Sequence, residues 1–225
     1  MSYFITLEGI EGCGKSTQIP LLKEYLEKNT SYKVLVTREP GGSPIADQIR
    51  KILLSRKNKA LTPQAEVFLY EASRAQHVAE VIKPALKQKK IVLCDRFMDA
   101  TTVYQGIARN LGEKLCKDLN HIATKGLTPH LTLILDCDVK IGLARSRTRL
   151  QKENKDESRL EEESLNFHKK VREGYLKLAQ EDKNRFRVMN ANQTIEAIHK
   201  DICKEVLSCL RKQASKNTGS PPSRG

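Results

Sequence analysis

Residues 3–17, Tyr3-Phe4-Ile5-Thr6-Leu7-Glu8-Gly9-Ile10-Glu11-Gly12-Cys13-Gly14-Lys15-Ser16-Thr17, decide the fold. Tyr3 to Leu7 is a short apolar run that reads as a buried strand, and a helical pattern follows from Ser16 to about Lys28. Between them, Gly9 to Ser16 fits G-x-x-x-x-G-K-[ST], with the strand before it and the helix after it that this motif requires. The glycines let the backbone curl so that N–H groups point at phosphate oxygens, and the helix N-terminus adds positive potential there. The expected triphosphate-binding residues are Gly9, Ile10, Glu11, Gly12, Cys13, Gly14, Lys15, Ser16 and Thr17. Lys15 is expected to reach the β- and γ-phosphates, and the Ser16 hydroxyl to hold Mg²⁺. Cys13 reads as a small filler; a reactive thiol at a helix N-terminus is the alternative. The motif says nucleoside triphosphate and leaves open what is done with it.

Working outward, further strands are expected at Lys33 to Thr37, Ile91 to Cys94, Leu131 to Leu135 and Phe186 to Met189. Helices are expected from Pro44, over Pro63 to His77, Val78 to Lys87 and Glu113 to Lys125, and from Thr194 to Leu210. Strands alternating with helices imply an α/β fold, a five-stranded parallel sheet with helices on both faces. Residues 1–212 are expected to form one domain with a mobile lid at about 145–163, because Gln151 to Glu163 is almost all polar with mixed charge. Gln213 to Gly225, rich in Ser, Pro, Gly and Lys, reads as a disordered tail.

Composition narrows the partners. The chain has 225 residues and a formal net charge of +13, which points to polyanionic ligands. No aromatic residues are interleaved with a basic stripe, so phosphorylated small molecules are preferred over nucleic acid. The six cysteines show no C-x-x-C spacing, so zinc is not expected and reduced thiols are. With no signal-like or long apolar segment, a cytoplasmic protein without a membrane partner is expected.

Four further clusters carry candidate chemistry, each with a plain alternative. Arg38-Glu39-Pro40-Gly41-Gly42 follows the second strand, at the sheet edge where open α/β folds bind ligands. Its arginine can clamp a phosphate or be a solvated turn residue. Asp95-Arg96-Phe97 follows the third strand. Asp95 can hold Mg²⁺ and Arg96 can neutralise a transferring phosphoryl group, or the two can simply pair. Arg145, Arg147 and Arg149 can close over a triphosphate or form the wet face of a helix. Tyr70 and Arg74 lie one helical turn apart and suit a nucleobase, or else Tyr70 covers the core beside a surface arginine. Asp99, Thr101, Thr102, Tyr104 and Gln105 add polar groups able to read a base and a sugar.

Taken in order from Tyr3 to Leu210, these clusters resemble the thymidylate kinase family. The residues that carry the resemblance are Gly9 to Ser16, Thr37 to Gly42, Ser73-Arg74-Ala75-Gln76-His77, Asp95-Arg96-Phe97, Tyr104-Gln105-Gly106, the arginine run and Ser158-Arg159-Leu160-Glu161. The resemblance implies a P-loop kinase fold, usually a homodimer, that transfers the γ-phosphoryl of ATP to dTMP with Mg²⁺, in dTTP synthesis. It implies that Tyr70 stacks on thymine and that Arg74, Gln105 and Thr101 bind the base edge. Arg38 and Arg96 would hold the acceptor phosphate. Glu11 would lie near the deoxyribose 3′-hydroxyl and the metal, and Tyr104 against the sugar. Gly12, where one branch of the family carries arginine, together with the Arg145, Arg147 and Arg149 run, resembles the bacterial branch. Phe97, Ala100, His130 and Ser158 depart from the usual residues, and Ser158 removes a carboxylate from the lid.

The expected mechanism is in-line attack by an acceptor phosphate oxygen. That oxygen is already anionic, so no general base is needed; Lys15, Mg²⁺, Arg96 and the lid arginines would stabilise developing charge. Rivals are a kinase for another nucleotide, separable by a panel of acceptors, and a nucleotide-dependent switch or nucleic-acid-dependent ATPase, which would yield no phosphorylated acceptor.

Overall fold

A computed structural model describes residues 2–153, 159–160 and 162–217. Its strands are β1 (Tyr3–Glu8), β2 (Val34–Arg38), β3 (Ile91–Asp95), β4 (Leu131–Asp136) and β5 (Phe186–Asn190). They form one parallel sheet of order β2-β3-β1-β4-β5. β1, β3 and β4 are central and covered on both faces, which is why they read as unbroken apolar runs. β2 and β5 are the edges, and each exposes a valine, Val36 and Val188.

The helices are α1 (Lys15–Asn29), α2 (Pro44–Leu54), α3 (Pro63–His77), α4 (Lys83–Lys87), α5 (Met98–Thr101), α6 (Glu113–Thr124), α7 (Val139–Glu153), α8 (Leu165–Glu181) and α9 (Ile195–Asn217). Alternation along the strands sorts the core into two sides. Tyr3, Ile5, Leu7, Ile91 and Leu93 belong to a cluster with Ile19, Leu22 and Leu26 of α1 and Ile198, Ile202 and Val206 of α9. Phe4, Val92 and Cys94 face the other way, onto Val78, Ile82 and Ala85.

Several elements differ from the expectations. Val78 to Lys87 is not one α-helix: Val78–Ile82 is wound as a π-turn before α4. α5 runs into a second π-wound segment, Thr102–Ala108. α7 and α8 flank the polar stretch, and the three arginines stand on α7, so α7 extends to Glu153, into the stretch expected to be loop from Gln151. Of that stretch, residues 154–158 and 161 lie outside the described residues, so Ser158 and Glu161 do too. α9 continues to Asn217, past the tail boundary expected at Gln213. Residues 218–225 lie outside the described residues. Among the described residues no helix is long and apolar enough to cross a membrane.

Candidate active site

The register aligns the carboxyl ends of β1, β2 and β3, since Leu7 and Arg38 both pair with Asp95. A cleft of about 380 Å³ opens beyond that edge. It gathers Glu11, Gly12, Lys15 and Ser16 from the P-loop, and Arg38 from β2. Tyr70 comes from α3, Asp95 and Arg96 from the end of β3, Thr101, Tyr104 and Gln105 from the helix behind it, and Arg149 from α7.

The loop is held closed on itself. Lys15 Nζ donates to the carbonyls of Gly9 at 3.2 Å and Ile10 at 3.0 Å. These are bonds a phosphate can take over. Ile10 and Cys13 are buried beneath the loop, and Lys15 Nζ also lies 3.5 Å from Cys13 Sγ. Gly14 caps α1 in a left-handed conformation, and the N–H groups of Thr17 and Gln18 bond back to its carbonyl. Thr17 is exposed. Gly12 has φ +69°, and a Cβ there would lie 1.9 Å from the Gly142 carbonyl oxygen. The P-loop therefore packs directly on the start of α7 and has no room for an arginine side chain at Gly12. Arg149 of α7 lines the cleft. Arg145 shares its side of the helix one turn earlier and Arg147 points elsewhere; neither is among the residues that line the cleft.

Arg96 occupies the floor of the cleft with φ +66°, a conformation that non-glycine residues hold only under support. Its N–H bonds Leu7 O at 3.0 Å. Its guanidinium donates to Glu11 Oε1 at 2.9 Å and to Tyr175 Oη at 3.2 Å, and lies 5.0 Å from the Tyr104 ring centre. Tyr175 Oη donates onward to Glu8 Oε2 at 2.7 Å, and Glu8 Oε1 accepts the Phe97 N–H at 2.7 Å. Tyr104 Oη donates to Glu11 Oε1 at 2.7 Å, and His168 Nδ1 lies 3.2 Å from Glu11 Oε2. Burial pushes against the charge of Glu11, but Arg96 and then His168 overcome it and hold the carboxyl well below the usual range. Burial wins at Glu8 and raises it to about 7, against the pull of Arg96. Burial likewise raises the phenols of Tyr70, Tyr104 and Tyr175, so each remains a neutral donor.

Arg74 requires a correction. It does not line the cleft; it is 1% exposed and supports the turn after β2. Nε bonds Glu39 Oε2 at 2.8 Å, Nη1 bonds Glu71 and Asn120, and Nη2 bonds Phe97 O at 3.2 Å. Glu39 Oε1 also meets His77 Nδ1 at 3.0 Å, and Ser73 Oγ accepts the Gly41 N–H at 3.1 Å. The Ser73 to His77 stretch thus carries the turn from below. Arg38 is placed on the cleft wall with Nη2 3.1 Å from Asp47 Oδ1.

Sequence reasoning missed Glu8, Arg50, Glu66, His168 and Tyr175. Arg50 lines the cleft and bonds Pro40 O at 2.9 Å. Glu66 and Tyr70 are one turn apart on the buried side of α3, and an acidic residue on such a side was the available signal. His168 and Tyr175 belong to α8, where Phe167, Val171, Tyr175 and Leu178 recur at helical spacing after the Ser164 cap.

Ser16 and Asp95 place a hydroxyl and a carboxylate in the same cleft as Lys15, hard oxygen donors of the kind Mg²⁺ takes with phosphates and water. Among the described residues no group of three or more His, Cys, Asp or Glu could hold a metal on its own. A metal here would draw its remaining ligands from a bound nucleotide.

A family model described as thymidylate kinase matches residues 7–202. The chain is 52% identical over 212 residues to a thymidylate kinase of Geotalea daltonii, covering 93% of this chain and 99% of that protein. It is 55% identical to a thymidylate kinase of Syntrophotalea carbinolica, over 88% of this chain and 92% of that one. The crystal structure of a thymidylate kinase from Ehrlichia chaffeensis superposes with a TM-score of 0.71 at 34% identity, covering 91% of this chain and 98% of that one.

Proposed function

The chain belongs to the thymidylate kinase family, and on that premise we propose that it transfers the γ-phosphoryl group of ATP to dTMP, giving dTDP and ADP for dTTP synthesis. One observation carries the residue assignment. The P-loop groups Lys15 and Ser16 line a single cleft together with Arg38, Tyr70, Arg96 and Gln105. A donor triphosphate on the P-loop and a base on Tyr70 would bring the acceptor phosphate to the two arginines.

The acceptor oxygen is anionic at neutral pH, so the protein's task is to orient it and spread charge. Lys15 leaves the Gly9 and Ile10 carbonyls to hold the donor phosphates. Arg96, locked by Glu11 and Tyr175, presents its remaining donors to the acceptor phosphate without reorganising. Tyr104 packs on the sugar side and spends its hydroxyl on Glu11. Arg149, and with it Arg145 and Arg147 if α7 moves inward, excludes water from the γ-phosphate. Ser16 and Asp95, with Glu11 nearby, would hold Mg²⁺, whose chemistry there is neutralising phosphate charge. Thr101 and Gln105 read the base edge, and Arg74 acts through the turn that carries Arg38.

The working form is a homodimer. Ile45 and Ile52 of α2, Phe68 of α3, and Leu115 and Ile122 of α6 are exposed on three neighbouring helices. Each of the two pairs lies seven residues apart, on one side of its helix. The place of work is the cytoplasm, a reading supported by cysteines that are all free thiols. Incubation with ATP, Mg²⁺ and dTMP, followed by chromatography, should show dTDP and ADP in equal amounts. Phosphate release without dTDP would refute the reading.

A further inference from the structure

The amide of Gln105 has a fixed orientation, and Glu66 fixes it. Glu66 is 1% exposed, and Gln105 Nε2 donates to its Oε1 at 2.7 Å. The same carboxylate takes Arg109 Nε at 3.3 Å on Oε1, and Arg159 Nη2 lies 2.7 Å from Oε2. Surrounded by donors, it offers acceptors only, so the NH₂ end of Gln105 must face it. Among the described residues Gln105 Oε1 accepts no hydrogen bond, and Gln105 lines the same cleft as Tyr70 and the P-loop.

We propose that Glu66 is a positioning residue for base selectivity: by holding the Gln105 amide it presents a carbonyl acceptor to the base, admitting a pyrimidine with an N3–H donor and opposing one with an N3 lone pair. This rests on the dTMP kinase reading and deepens it. Thymine and uracil carry N3–H, whereas cytosine carries a bare N3 that would face Oε1 lone pair to lone pair. A buried site built around one hydrogen bond rejects the analogue that cannot make it, because the polar group is left unpaired. Tyr70 stacking cannot make this distinction, since both bases have the same apolar face.

The same carboxylate ties the base site to the segment after α7. Arg159 also donates Nε to Leu53 O at 2.6 Å, and Arg109 Nη2 pairs with Glu163 Oε1 at 2.6 Å. Both guanidiniums therefore keep a partner when Glu66 is neutralised, which makes Glu66→Gln a usable probe. It preserves shape but adds a donor, so the Gln105 amide can turn over.

The experiment measures kcat/KM for dTMP and dCMP in the full-length wild type and in Glu66→Gln. The wild type should prefer dTMP strongly, and in Glu66→Gln the dTMP-to-dCMP ratio should fall by about tenfold or more. A loss of activity proportional for both substrates, with the ratio unchanged, would overturn the proposal and leave the kinase reading intact. Should the variant fail to fold, wild-type enzyme with N3-methyl-dTMP tests the acceptor on which the proposal depends. Turnover reduced by about 100-fold or more relative to dTMP supports an acceptor at that position, and turnover equal to dTMP overturns it. A wild type inactive on dTMP itself would overturn both readings.

Discussion

Lys15 is buried at 7% exposure and bonded to two carbonyls of its own loop, so its charge is held within the proposed triphosphate site. Lys15→Ala should lower kcat by about 100-fold or more, with little change in melting temperature; steady-state rates and a thermal melt separate the two. Arg74 should behave in the opposite way. Arg74→Ala leaves Glu39 and Glu71 buried beside one another, and should destabilise by about 3–5 kcal/mol in denaturant unfolding. An Arg74→Ala enzyme of normal stability with a raised KM for dTMP would instead return Arg74 to the base. Glu8 gives a pH signature. Its carboxyl is raised from 4.5 to about 7, so the folded state binds its proton more tightly than the unfolded chain does. Stability from this group is full below about 4.5 and declines as pH rises through 7, by roughly 1–3 kcal/mol. Glu11 has the opposite sign: its depressed carboxyl favours folding above the unfolded value and loses that contribution as pH falls below it. Glu8→Gln should flatten the decline between pH 5 and 8 in melts across pH; an unchanged slope would show that Glu8 is not its source.

At the scale of elements, the contact of the P-loop with α7 is the joint that sets which arginine reaches the cleft. Gly12 and Gly142 meet backbone to backbone, and a Cβ on Gly142 would approach the Glu11 carbonyl to 2.6 Å. Gly142→Ala should push α7 off the loop, raising KM for ATP several-fold while KM for dTMP changes less; initial-rate kinetics with each substrate varied will show it. Much of this level was legible in the sequence. The strand–Gly-rich turn–helix unit and the uniformly apolar β3 and β4 follow from local periodicity and turn chemistry, and they locate the P-loop and Asp95-Arg96 at one edge. The one-turn spacing of Tyr70 and Arg74 was also legible, but spacing alone does not say which residue faces the cleft. Arg74 turned inward because Glu39, thirty-five residues away in sequence, waits there. The π-wound segment Thr102–Ala108, which sets the positions of Tyr104 and Gln105, has no composition signal of its own. Likewise His168 and Tyr175 became part of the site only when α8 packed against that segment, a tertiary event.

At the scale of the whole molecule, P-loop, arginine and aromatic groups share one cleft, and an apolar surface on α2, α3 and α6 lies outside it. Phe68→Glu combined with Ile122→Glu should shift the protein to monomers in sedimentation velocity, and a dimer that survives both changes would place the interface elsewhere. The most direct test of the account is a coupled ADP-release assay with ATP, Mg²⁺ and a panel of dTMP, dUMP, UMP, dCMP, AMP and GMP. The account predicts turnover strongest with dTMP and abolished in Lys15→Ala and Arg96→Ala. Strong turnover with another monophosphate and none with dTMP would contradict it, leaving the P-loop chemistry but removing the thymine site from Tyr70 and Gln105.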